Sequence, residues 1–368
     1  MKKKNYFWIV YLLIFSMIYS CTSMQKIEIE KILNQRIKDP MIDSKEINIY
    51  IITNRITTTN REDCNNQFFR NAPSSVKYIL CSVNVPKEHS IGALDTSSDN
   101  SLNKDKFFFA RNYRSLTKED FYKQITQEQE ILIFVHGFNV EFEEALYRIA
   151  QIHYDLKFQG TSVLYTWPAG PEEGLFSSIL INDTYKNNQE HAKVSIPIFK
   201  NFIEEIFQQI DNKKKNIYLI VHSMGHQIVI PSLIEISKIK YNNIKFKEII
   251  FNAPDYPVDT FREEVNIISS LANRITIYCS PDDNALKASE TVNGTRRIGQ
   301  CYKVNGIDVI NVQRVDSPIL GIGGLGHGYY SSRAILTDLY QLMLGLEAKN
   351  RLFIIKSNQS TEDYILRD

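Results

Sequence analysis

The 368-residue chain is 43% hydrophobic and 23% charged, an ordinary globular balance with enough length for one large domain or two average ones. Its formal net charge of +1 supplies no strong field for nucleic acid or acidic lipid and argues against a nucleic-acid partner. No stretch has the low-hydrophobicity, high-charge composition of a long disordered segment, and no internal repeat or heptad run is present.

Met1-Lys-Lys-Lys4 leads into a nearly unbroken apolar run from Tyr6 to Tyr19, followed by Ser20-Cys21. A run of about 15 residues rises ~23 Å, short of a ~30 Å bilayer core, so residues 1–20 are expected to be a signal peptide. Ile18-Tyr-Ser-Cys21 resembles a bacterial lipobox, which implies a lipid on Cys21, a membrane anchor and a place in the bacterial cell envelope. Residues 21–45 read as a polar tether. An exported chain can keep disulfides, and the expected pairs are the sequence-local ones, Cys64 with Cys81 and Cys279 with Cys301. No CxxC or HExxH spacing is present, so no metal site is expected.

Strands are expected over residues 46–56, 78–85 and 107–113, with a long loop over 88–106. Ile131-Leu-Ile-Phe-Val135 is continuously apolar, as a strand buried on both faces should be. Phe142, Leu146, Ile149, Ile152 and Leu156 follow at helical spacing. Strands at 162–165, 217–221, 246–251, 275–278 and 309–312 then alternate with helices at 192–210, 227–239, 259–271 and 332–346. This order predicts an α/β fold: a mostly parallel, doubly wound sheet over 46–346 with an N-terminal strand extension. Residues 168–193 interrupt the rhythm as a possible lid, with Trp167 a candidate pocket wall, and 347–368 read as a C-terminal tail.

Ligands in such sheets sit beyond the carboxyl ends of the strands. Ser223 stands there, just past one strand and just before a helix, the setting of a nucleophile elbow. Gly225 fits the elbow's need for small neighbours, whereas Val221 stands where that motif has glycine. A serine needs a base, and in hydrolases of this kind the order is Ser, acid, His. Of the seven histidines only His226 and His327 follow Ser223, and His226 lies three residues along the same helix. His327, in the glycine-rich Gly321–Gly328 segment, is therefore the expected base. Asp255, Asp282 and Asp283 follow later strands and are the candidate acids. The N–H groups of Met224 and of Phe138, in His136-Gly-Phe-Asn139, are the expected oxyanion donors. Gly321-Ile-Gly-Gly-Leu-Gly326 spells GxGxxG, but no second βαβ unit with an acidic strand end follows, so no nucleotide site is expected.

His136-Gly-Phe-Asn139 with Phe142-Glu-Glu-Ala145, Leu164-Tyr-Thr-Trp-Pro168, His222-Ser-Met-Gly225, Asn252-Ala-Pro-Asp255 and Gly326-His327 resemble a family of uncharacterised, esterase- or lipase-like bacterial α/β hydrolases. The likeness extends back to Tyr50-Ile-Ile-Thr-Asn-Arg55 and Ser82-Val-Asn-Val-Pro-Lys-Glu-His89, and so covers about residues 46–345. The resemblance implies no metal and no organic cofactor. It also implies that the second Asp of Ser280-Pro-Asp-Asp-Asn-Ala-Leu286, Asp283, is the acid. The expected activity is hydrolysis of a small carboxylic ester through an acyl-serine. Thioester or amide hydrolysis and a non-catalytic envelope scaffold are the alternatives.

Overall fold

The computed structural model describes residues 45–59, 61–97, 102–171, 181–210, 215–239, 244–315 and 327–367. The expected signal, Cys21 and the tether to residue 44 lie outside the described residues, as does the glycine-rich run 316–326. No helix among the described residues is long and apolar enough to cross a membrane.

Apolar runs bounded by turns build an eleven-stranded sheet. An antiparallel extension of β1 (Lys45–Thr57), β2 (Phe69–Val85) and β3 (Phe109–Ser115) forms one side. Through β1 it joins a parallel centre of β4 (Glu130–Val135), β5 (Thr161–Thr166), β6 (Asn216–His222), β7 (Glu248–Asn252), β8 (Ile275–Cys279) and β9 (Asp308–Asn311). The order is β10-β11-β9-β8-β7-β6-β4-β5-β1-β2-β3. Each central strand feeds both cores by the twofold alternation of its side chains. Ile131, Ile133 and Val135 enter the cluster on one face, while Leu132 and Phe134 enter the cluster on the other. Burial on both faces is why these strands are apolar throughout.

The helices that cover the sheet are α1 (Lys118–Ile125), α2 (Phe142–Asp155), α3 (Ile181–Gln209), α4 (His226–Ser237), α5 (Val258–Ser269), α6 (Asn284–Asn293) and α7 (Arg333–Met343). Of the possible lid, residues 172–180 lie outside the described residues, and residues 181–193 are the first turns of α3, whose Thr184, Tyr185 and Asn188 are buried. Residues 347–368 are no tail, because β10 (Ile354–Lys356) and β11 (Tyr364–Leu366) extend the sheet, β11 lying parallel to β9. Helices α1 and α6 were not expected at all. Thr117 caps α1 by accepting the Asp120 N–H, and Asp283 caps α6 by accepting the Leu286 N–H.

Disulfides join Cys64 to Cys81 and Cys279 to Cys301, the sequence-local pairs. The second ties the end of β8, four residues before Asp283, to the turn beyond α6.

Candidate active site

Strand β6 delivers its last residues to the carboxyl edge of the sheet, where Ser223 turns the chain sharply into α4. Ser223 has φ +50°, a left-handed conformation that costs a non-glycine residue roughly 1–2 kcal/mol. Such strain persists only where the surroundings enforce it. Here they do. A Cβ on Gly225 would lie 2.7 Å from the His136 carbonyl oxygen, and one on Gly137 would lie 2.6 Å from Ser223 Cβ. Val221 needs no such closeness, since its side chain points into the core on one face of the sheet.

The Ser223 Oγ–H donates to His327 Nε2 at 2.7 Å, and His327 Nδ1–H donates to Asp283 Oδ2 at 2.7 Å. The other Asp283 oxygen accepts the Leu286 N–H at 3.0 Å, so capping α6 fixes the carboxylate that faces the imidazole. All three side chains are buried. His222 donates from Nε2 to the His327 carbonyl at 3.3 Å and stacks on Tyr330 at 3.9 Å, which secures the segment carrying the imidazole. The arrangement can take a proton from the hydroxyl and hold it on a nitrogen next to a carboxylate.

The other two candidate acids are elsewhere. Asp282 faces solvent beside Lys287 and Gln313. Asp255 is buried but occupied: Oδ2 accepts from Tyr185 (2.7 Å) and Gln227 (3.2 Å), Oδ1 accepts from Ser289 (2.5 Å), and Oδ1 pairs with the Arg297 guanidinium at 3.1 Å, whose Nε–H donates to Ser289 Oγ at 3.0 Å. His226 aims Nδ1 at the Ser223 backbone carbonyl (2.7 Å) rather than at its hydroxyl.

Across from Ser223, β4 ends in the His136–Asn139 turn. The Asn139 N–H donates to Asn188 Oδ1 at 3.3 Å, which ties that turn to α3. Met224 is the second residue of the short helical turn Ser223–Gly225 leading into α4, where the first N–H groups have no intrahelical partner. Trp167, expected as a pocket wall, is fully buried. Its Nε1–H donates to the His136 carbonyl at 3.0 Å and its ring lies parallel to the imidazole, so it braces the turn from the core side. Asn188, Arg55 and Tyr185, which also touch this edge, were missed by the sequence reading. A signal existed only for Arg55, because Thr53-Asn54-Arg55 interrupts the apolar run Tyr50-Ile-Ile52 within β1.

Burial pushes several imidazoles down: His136 and His222 well below the usual value, His226 to about 3 and His153 to about 4. Each is neutral in the folded protein at mildly acid pH but protonates near 6.5 once unfolded, so stability is lost as pH falls below 6.5. His153, bonded through Nδ1 to Ser162 Oγ at 2.8 Å and with no bond to Ser223, His327 or Asp283, isolates the effect. Between pH 7 and pH 5, His153→Asn should lose about 2 kcal/mol less stability than the wild type in paired denaturant titrations. The difference between proteins cancels the carboxyl groups that titrate in the same interval. Equal losses in both would show that the His153 imidazole is not buried neutral.

Residues 114–345 match the family model described as alpha/beta hydrolase of unknown function (DUF900). No curated protein matches the chain. Among solved structures, phospholipase PlaB from Legionella pneumophila in complex with thio-NAD is 16% identical, with a TM-score of 0.23, over 51% of this chain and 38% of that one. A second structure of phospholipase PlaB from Legionella pneumophila is 13% identical, with a TM-score of 0.22, over 56% and 43%. The chain thus spans less than half the length of either.

Proposed function

The chain belongs to the α/β hydrolases of unknown function that its residues 114–345 match, and from that premise we propose that it is a serine hydrolase cleaving carboxylic esters through an acyl-enzyme on Ser223. Ser223 Oγ attacks the carbonyl carbon as its proton passes to His327 Nε2. The Phe138 and Met224 N–H groups receive the oxyanion, each such donor contributing about 2.7–4 kcal/mol to the transition state. Collapse expels the alcohol, which takes the proton from His327. Water then repeats the sequence, with His327 first as base and then as acid, and releases the carboxylate. Asp283 holds the tautomer and stabilises the imidazolium.

The observation that carries this reading is the continuous relay of 2.7 Å from Ser223 Oγ to His327 and 2.7 Å from His327 to Asp283, starting from a serine held at positive φ. A fluorophosphonate probe tests it, since that reagent phosphonylates only an activated serine. Wild type should be labelled and Ser223→Ala should not. Folded wild type that stays unlabelled would overturn the reading and favour a binding scaffold. A panel of acyl esters, thioesters and anilides then assigns the leaving group, which one triad alone does not fix.

A further inference from the structure

Strand β1 carries Thr53-Asn54-Arg55 near its carboxyl end, after Ile51-Ile52, and all three polar side chains are buried. Arg55 is 0% exposed. Every acceptor on its guanidinium is neutral: Nε donates to Thr166 Oγ1 at 3.0 Å, Nη1 to Asn71 Oδ1 at 2.6 Å and the Ala169 carbonyl at 2.7 Å, and Nη2 to the Val140 carbonyl at 2.8 Å. Burying a cation whose hydrogen bonds all go to neutral groups is costly, and burial, offset in part by the Glu141 charge, pulls the Arg55 pKa down to about 9, so the group is still charged at neutral pH. A fold that keeps such a residue at the catalytic edge of its sheet is using it for something.

The hydrogen bonds beyond Arg55 have a single consistent direction. Thr166 accepts from Arg55, so its own proton is available to His136 Nε2, 2.9 Å away. The Trp167 backbone N–H reaches that same nitrogen at 3.3 Å. Nε2 is therefore the acceptor of a neutral imidazole, and the ring proton sits on Nδ1, which donates to the Gly137 carbonyl at 3.1 Å. That carbonyl and the Phe138 N–H belong to one rigid peptide unit and point in opposite directions. Fixing and polarising the oxygen fixes and strengthens the N–H as a donor. Arg55 also holds the far end of the same turn through the Val140 carbonyl, and Asn188 joins Asn139 to Gly170 across it.

We propose that Arg55 is a positioning residue for catalysis: through Thr166 and His136 it orients and polarises the Gly137–Phe138 peptide, whose N–H receives the oxyanion. The inference rests on the serine-hydrolase reading above. It predicts a defect confined to the transition state, because the ester carbonyl gains its negative charge only there.

The test uses the whole chain with an ester that the wild type hydrolyses, rates being expressed per active site counted by fluorophosphonate titration. Arg55→Met removes the charge and all four bonds. Thr166→Val breaks the relay while keeping shape, and it keeps the test intact if Arg55→Met fails to fold. Each variant should lower kcat per active site by about 10–100-fold, with KM within about twofold of wild type. Each should weaken an alkylboronic acid, which forms a tetrahedral anion on the serine, by the same factor as kcat. A role in folding alone would instead lower the number of titratable sites or the melting temperature. It would leave kcat per site and boronate affinity at wild-type values, and that result overturns the proposal. Wild type that takes up no fluorophosphonate defeats the parent reading instead, so the two failures are distinct.

Discussion

Replacing His327 by alanine is expected to lower kcat by about 10⁶-fold on any ester the wild type turns over, and adding Ser223→Ala should lower it no further. A serine hydroxyl is a feeble nucleophile near neutral pH, and only a base within hydrogen-bond reach makes it otherwise. In the proposed reaction His327 Nε2, 2.7 Å from the hydroxyl, is that base, and the other nearby imidazoles are committed to backbone carbonyls, His226 to Ser223 and His222 to His327. Ser223 and His327 therefore act as one unit, and losing either loses the whole effect. Kinetics of the two single variants and the double variant, with unfolding curves to show that all three are folded, check this. A His327→Ala enzyme within a thousandfold of wild type would mean that another group takes the proton. A double variant far below both single variants would mean that the two residues contribute separately.

What could be read in advance followed burial. Strands β4 and β6 are sandwiched between two cores, and a residue buried on either face must be apolar, so those strands are visible as runs. The position of Ser223 after such a run, and of His327 after all the parallel strands from β4 to β9, is a matter of chain order alone. The acid was different. Asp255 and Asp283 both follow parallel strands and both are buried, and only tertiary geometry sends one to an imidazole and the other to Arg297. The family resemblance, not spacing, favoured Asp283. Helix α6 was invisible because it buries little more than Leu286 and Ser289, too little for an apolar stripe. Strands β10 and β11 have three residues each, shorter than any period can be recognised in. Asn188 sits in a helix among polar neighbours and looks like a surface residue; its burial against Gly170 and Asn139 is a property of the fold.

The contrast between the two buried aspartates gives the second large effect. Asp283→Asn is expected to lower kcat/KM by about 10⁴-fold in a folded protein. Its amide oxygen can still accept the Leu286 N–H, so α6 keeps its cap, but the amide nitrogen then faces His327 Nδ1. An N–H donor there forces Nδ1 to accept and moves the ring proton to Nε2, where it blocks transfer from Ser223. Asp255→Asn should do the reverse. Its carboxylate pairs with Arg297, and both side chains are 2% exposed, so neutralising it leaves a buried guanidinium without its counter-charge, at a cost of about 3–5 kcal/mol. Activity per titrated site should stay within about fivefold of wild type, because Asp255 makes its side-chain bonds to Tyr185, Gln227, Ser289 and Arg297 and none to His327. Denaturant unfolding and kcat/KM on the same preparations separate the outcomes. If Asp255→Asn gave the catalytic collapse and Asp283→Asn only a loss of stability, the acid would have to be reassigned.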